Sequence, residues 1–282
     1  MHSSLSSAAA IRNLALFAIV AMAAGWLGRG LDVAVGSLAS EGPGQLVWIA
    51  APALTGLLLR GFGGDGWTDA GLRPLFGGNW RWYLFAILFA PVSSLLTILL
   101  GMTFGIMRFT MPDAGNLLRL VALALLPAFV KNIAEEFAWR GYFTPRLSAA
   151  GVPDALNHAL TGLVWAAWHV PYYLFFLDRA TFAAISSHGL PVFFVTMFIG
   201  VVALAFVYGE LRLVTGSVWP VVALHTVSNA VTGAILLSGK VAMAFGAADL
   251  LASPIPGSLM SIALNAAIWL WLRRHRQARA RR

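Results

Sequence analysis

The sequence predicts an all-α membrane protein, a bundle of about eight transmembrane helices around a polar intramembrane cavity. Three observations carry that prediction. Of the 282 residues, 59% are hydrophobic, too many for one soluble core. Only 11% are charged, against about 25% in an ordinary soluble domain. The apolar residues also fall into long runs joined by short connections, the pattern a chain needs when lipid rather than water covers its helices.

Taken in order, the runs suited to spans are 8–27, 45–60, 81–102, 117–139, 158–177, 190–209, 216–237 and 257–273. Each approaches the length of about 20 residues that a bilayer requires. The longest connection, 61–80, is rich in glycine and turn residues. The first run also has features of a signal peptide, with Arg12 ahead of it and a small-x-small pattern at Ala21-Met22-Ala23. Its length and the spans after it favour a retained helix over cleavage, which would leave seven spans. No polar stretch is long enough for a second domain and no internal repeat is visible, so residues 1–282 read as one polytopic domain.

The net charge is +8, and much of it lies in the tail at 273–282: Arg273, Arg274, Arg276, Arg279, Arg281 and Arg282. Because the tail directly follows an apolar span, it reads as a cytoplasmic topology anchor and not as a nucleic-acid arm. With the C-terminus inside and eight spans, the N-terminus is inside as well. The inner connections then hold Arg60, Arg73, Arg81, Arg140, Arg146 and Arg212, and the outer ones Arg29, Arg108, Arg179 and Lys240. Short loops and a compact arginine tail read as bacterial, giving a multi-pass protein of the cell inner membrane.

Most acidic residues, Asp154 and Glu210 among them, fall in loops or at span ends. Glu135 and Glu136 are adjacent and lie within the fourth span. A carboxylate at mid-helix depth costs about 2.5–3.5 kcal/mol on insertion scales. Two accounts are open. Lys131 stands four residues before Glu135 and Arg140 four after Glu136, so i,i+4 pairs could neutralise the helix end, with Arg140 snorkelling to the surface. Alternatively, the pair faces a hydrated site.

Histidine favours the second account. His2 and His275 are in the tails, and His158 and His188 read as solvated residues at a loop edge and in a loop. His169 and His225, however, fall mid-span on two further helices. Asn229 shares a helix face with His225. Pro171 and Pro220 read as kinks beside the histidines, where broken backbone can line a cavity.

Three motifs thus stand in order: Glu135-Glu136-x-x-x-Arg140, Trp165-x-x-x-His169 and His225-x-x-x-Asn229. Together with Arg140-Gly141-Tyr142 and Ser217-Val218-Trp219-Pro220, they resemble the CPBP family of intramembrane proteins. That family comprises the CAAX-type prenyl endopeptidases and the bacteriocin-processing or self-immunity proteins. The resemblance covers about 131–232. It departs from the family at Trp165, where phenylalanine is usual, and this bears on pocket shape.

The resemblance implies an endopeptidase in which Glu135 and His169 activate water, His225 and Asn229 stabilise the oxyanion, and Glu136 and Arg140 support the site. It implies no cofactor. A membrane-associated peptide or protein is the implied substrate. The residues themselves agree with a carboxylate base. There is no cysteine, and no Ser-His-acid constellation is visible. Zinc held by Glu135, His169 and His225 is the alternative use of the same side chains, without an HExxH motif. A non-catalytic scaffold or immunity protein of the same family is the second function. A proton-relaying transporter is the third, without the internal repeats common in transporters. Natural substrate and oligomeric state are not legible.

Overall fold

The computed structural model describes residues 7–37, 42–110, 113–186, 188–238, 241–243, 248–253 and 257–281. His2, Lys240 and Arg282 lie outside the described residues.

The described residues are predominantly helical. Helix α1 (Ser7–Ala34) is followed by α2 (Gly44–Gly61) and α3 (Phe76–Thr103). Helix α4 (Ala114–Glu136) continues through a π-helical stretch, Phe137–Phe143, into the short α5 (Thr144–Ala149). Helix α6 (Asp154–Pro171) likewise runs into a π-helical turn, Tyr172–Phe176, and then α7 (Arg179–Ile185). Helices α8 (Leu190–Thr215), α9 (Trp219–Leu237), α10 (Ala248–Leu251) and α11 (Leu259–Ala280) complete the chain. Helix ends carry recognisable stops. Asp113 caps α4 by accepting from the Asn116 amide at 2.9 Å. Gly216 ends α8 with φ of 66°, the left-handed conformation that glycine adopts most readily.

Among the described residues, five helical stretches are long and apolar enough to cross a membrane: Ala8–Ala34, Phe76–Thr103, Ala114–Ala149, Leu190–Thr215 and Trp219–Leu236. The spans expected over 45–60, 158–177 and 257–273 are helical too, as α2, α6 and α11, but fall outside that set. The physical reason is visible in α6. Asn157, His158 and Thr161 are buried inside the bundle, so this helix meets protein where the others meet lipid. The longer spans leave their apolar side chains on the outside. Leu118, Leu126 and Val130 of α4, with Leu95 and Leu99 of α3, are all more than half exposed, a surface that suits lipid and not water. This is an all-α membrane protein.

Helix α9 packs between α3 and α4, while α8 packs between α6 and α11, and α1 leans on α2 and α6. Trp48 of α2 and Trp168 of α6 stack with ring centroids 4.1 Å apart. Each indole N–H donates to the other residue's carbonyl, at 2.7 and 3.0 Å, so neither buried donor is orphaned. A two-stranded antiparallel ladder, β1 (Met107–Phe109) with β2 (Val241–Met243), is an addition to the helical expectation. It joins the connection after α3 to the one after α9.

Several expectations for charged and proline residues are corrected. Arg60, Arg140 and Arg212 are buried, with 2%, 0% and 8% exposure, so their charges are held inside the bundle and Arg140 does not snorkel. His158 is fully buried beside Glu210, with Nε2 to Oε2 at 3.5 Å, and is not a solvated loop-edge residue. Arg276 does not extend freely toward a membrane surface. It pairs with Glu210 and Asp154, both at 2.5 Å. Pro220 opens α9 in its first turn, where a missing N–H breaks no hydrogen bond, so it does not interrupt a span. Pro171 passes the chain into π-helical geometry and not into an open break.

Candidate active site

The site grows from the junction of α4 with the π-helical stretch. In π geometry the backbone hydrogen bonds of an α ladder are displaced, and carbonyls become available to other donors. Two of them are taken up by buried arginines. The Arg140 carbonyl accepts from Arg212 Nε at 3.1 Å. The Gly141 carbonyl accepts from Arg60 Nε at 3.0 Å and from Arg60 Nη2 at 2.5 Å. Around them, Arg60 and Arg146 reach Asp69, and Tyr142 donates to Asp65 Oδ2 at 2.8 Å. The glycine-rich connection after α2 is thereby fastened against the segment that bears the first motif.

Both i,i+4 pairs on this helix form. Glu135, 2% exposed, pairs through Oε1 with Lys131. Glu136, fully buried, accepts from Arg140 Nη1 on both oxygens at 3.2 Å. The Arg140 guanidinium lies over the rings of Trp165 (4.4 Å) and Tyr208 (4.9 Å), the cation–π arrangement that suits a desolvated arginine. Its Nε and Nη2 have no hydrogen-bond partner among the described residues.

The other motif residues converge on this pair. The indole N–H of Trp165 donates to Glu135 Oε2 at 3.3 Å. His225 Nδ1 lies 2.7 Å from Glu136 Oε1. His169 Nδ1 lies 2.8 Å from the Trp165 carbonyl. A carbonyl only accepts, so Nδ1 of His169 carries the proton and Nε2 keeps its lone pair. Asn229 donates through Nδ2 to Asn132 Oδ1 at 3.2 Å, and its second amide hydrogen remains available. The ion-pair account and the shared-site account of the sequence therefore both describe this region.

His169, His225 and Asn229 line one cavity of about 180 Å³. Glu135 and Glu136 do not line it. Each meets it through a lining residue, Glu135 through Trp165 and Glu136 through His225. The lining also includes Ser93, Ser94 and Thr97 of α3 and Ser261 and Asn265 of α11. Among the described residues, no group of three or more histidine, aspartate or glutamate side chains is placed to hold a metal ion. Of the set Glu135, His169 and His225, both Glu135 oxygens and both histidine Nδ1 atoms have protein partners, and the histidine Nε2 atoms have none among the described residues.

Sequence reading missed Asn132, Arg60 and Arg212. Asn132 carried a usable signal, since it precedes Glu135 by three residues and so lies on the same helix face. The two arginines carried none, because their role depends on carbonyls that only π geometry frees.

Fold and site together define a polytopic helical membrane protein with two buried glutamates behind a cavity lined by histidine and asparagine. Residues 117–231 match the family model described as Type II CAAX prenyl endopeptidase Rce1-like, a stretch that contains all three motifs. No curated protein matches the chain.

Proposed function

We propose that this protein is an intramembrane endopeptidase that hydrolyses a peptide bond of a membrane-associated peptide or protein with a water activated by Glu135 and His169, without a metal. The observation that carries this reading is the convergence of His169, His225 and Asn229 on one polar cavity, with Glu135 and Glu136 each one hydrogen bond behind it. The cavity wall carries several polar side chains among apolar ones, and about 180 Å³ is room enough for water, which a hydrolase requires.

In this mechanism the attacking water hydrogen-bonds to the Nε2 lone pair of His169, and Glu135 turns Oε2 from the Trp165 indole into the cavity to take the proton as the water oxygen bonds to the scissile carbonyl carbon. Negative charge develops on the carbonyl oxygen. The free amide hydrogen of Asn229 and His225 Nε2–H stabilise it. With Nδ1–H donated to Glu136, His225 Nε2 donates only when the ring is doubly protonated, and the Glu136 carboxylate is the counter-charge for that state. The C–N bond then breaks, and Glu135 returns its proton to the leaving amine. Arg140 holds Glu136 in place through both carboxylate oxygens.

Residues 131–232 form the catalytic core of this single domain. The arginine tail at 273–282 lies on the cytoplasmic side of the inner membrane, with the N-terminus on the same side, as the tail's remaining arginines favour. The experiment is a comparison of membrane peptides from wild-type cells with those from a Glu135→Ala strain. A species that accumulates uncut in the variant, at equal protein level, is the expected result. Identical peptide profiles would remove the hydrolase reading.

A further inference from the structure

The polar side chains that α3 and α11 contribute to the cavity have no part in the mechanism. Both helices lie outside the stretch that matches the protease family. Ser94 and Thr97 on α3 and Asn265 on α11 are 4%, 3% and 4% exposed. All three line the cavity. A buried serine or threonine on a helix usually returns its hydroxyl to the carbonyl one turn back, as Thr55 does to Ala51 at 2.8 Å. Ser94 and Thr97 make no such bond: among the described residues neither hydroxyl has a hydrogen-bond partner. Asn265 has only a long donation from Nδ2 to Ser261 Oγ at 3.5 Å, and its Oδ1 accepts from no described residue.

Buried polar groups are satisfied in folded proteins as a rule, and exceptions point to water or to a ligand. Hydroxyl and amide side chains both donate and accept. An extended polypeptide offers alternating N–H and C=O groups that match such a wall. An isoprenoid chain has neither group, and packed here it would leave three buried polar side chains without partners or water.

We propose that Ser94, Thr97 and Asn265 form a backbone-binding wall, and that the segment this site takes is an unmodified polypeptide in extended form and not an isoprenoid-bearing one. The inference rests on the endopeptidase reading for the location of the scissile bond, but binding can be read without cleavage.

The test uses the purified full-length chain in detergent micelles carrying Glu135→Gln, so that ligands are not consumed. The probes are two fluorophore-labelled pools of random nine-residue peptides, one plain and one with an S-farnesyl cysteine, followed by fluorescence anisotropy. Plain peptides are expected to bind at least as tightly as farnesylated ones. Thr97→Val and Asn265→Leu, added singly, should each weaken plain-peptide binding about five- to tenfold. Thr97→Ser, which keeps the hydroxyl, should restore it, while the melting temperature of all variants stays near that of the parent. Preferential binding of farnesylated peptides, unaffected by these substitutions, would overturn the wall and leave the hydrolase reading intact. Binding of neither pool would also overturn it. Wall-dependent binding of plain peptides that the unsubstituted protein never cleaves would uphold the wall and end the hydrolase reading.

Discussion

Arg60 of α2 donates to the Gly141 carbonyl through both Nε and Nη2, 81 positions away in sequence, at the point where the helix bearing Glu135 and Glu136 adopts π geometry. Its remaining nitrogen, Nη1, reaches Gly66 O and Asp69 Oδ1. A planar fork with five N–H donors can serve all three partners at once, and an ammonium cannot. Arg60→Met keeps the bulk and deletes the donors, leaving the buried Gly141 carbonyl without its partner and Asp69 with Arg146 alone. The expected loss is about 3 kcal/mol, at the low end for breaking a buried ionic network. Arg60→Lys should recover only part of it. Thermal unfolding in detergent measures both, and a methionine variant that melts with wild type would refute the capping role.

Trp165 stands where the related family usually has phenylalanine, and the structure gives the difference a chemical content. The indole N–H donates to Glu135 Oε2, while the ring carries the Arg140 guanidinium on its face. Trp165→Phe preserves an aromatic face and removes only the donor and some bulk. Stability should fall by about 1 kcal/mol or less, since a single hydrogen bond has that net value. The turnover rate should fall by about tenfold, because Glu135 loses one of two groups that orient it. An unchanged rate would show that Lys131 alone fixes the carboxylate.

Asn132 is fully buried on α4, and its Oδ1 accepts from the Asn229 amide. That bond sets the direction of the second Asn229 amide hydrogen, which the mechanism uses on the oxyanion. Asn132→Ala frees the Asn229 amide to rotate and should lower kcat about tenfold with little change in KM. The sign follows from the stage at which the contact acts, since a group that matters mainly in the transition state moves kcat. A rise in KM alone would place Asn132 in substrate binding instead.

Much of this architecture is legible in the sequence, and the rest is hidden for definable reasons. The spans over α1, α3, α4, α8 and α9 are visible because lipid requires long apolar runs. Glu135, Glu136, His169, His225 and Asn229 are visible because ionisable and polar residues inside such runs are rare without a purpose. Helix α6 is harder to judge, since a helix shielded by its neighbours can hold Asn157 and His158 without penalty from lipid. Arg60, Arg212 and Arg276 mislead for a shared reason. Each lies near the end of an apolar run, where a sequence reading assigns it to a membrane surface. Only the fold reveals that a carbonyl or carboxylate is waiting inside. Hydropathy reports which segments avoid water, and it is silent on which charges find partners across the bundle.

The same partner accounting predicts the response to metal removal. Glu135 is held by Lys131 and Trp165, and the Nδ1 atoms of His169 and His225 are held by a carbonyl and by Glu136. A zinc ion would have to displace the Lys131 charge from the only carboxylate of that set. Prolonged dialysis against a strong chelator should therefore leave the cleavage rate unchanged, and elemental analysis of the active protein should find less than one equivalent of zinc. Loss of activity on chelation, restored by added zinc, would require Lys131 to swing away and the water to be activated by metal.

Arg276 tests how the last helix is fastened. It bridges Glu210 of α8 and Asp154 of α6 at 2.5 Å each, and Glu210 is fully buried beside His158. The two carboxylates are not equivalent. Asp154 keeps 40% of its side chain exposed, so its bond competes with water and Asp154→Asn should cost at most about 1 kcal/mol. Glu210 has no such outlet. Arg276→Ala leaves its carboxylate buried with only a histidine nearby, and the expected cost is about 3 kcal/mol. Glu210→Gln in the Arg276→Ala background should recover part of that loss, because a neutral amide needs no counter-charge. Melting temperatures of the single and double variants decide the point. If Arg276→Ala and Asp154→Asn prove equally mild, the arginine serves the membrane surface and not the packing of α11 against α6 and α8.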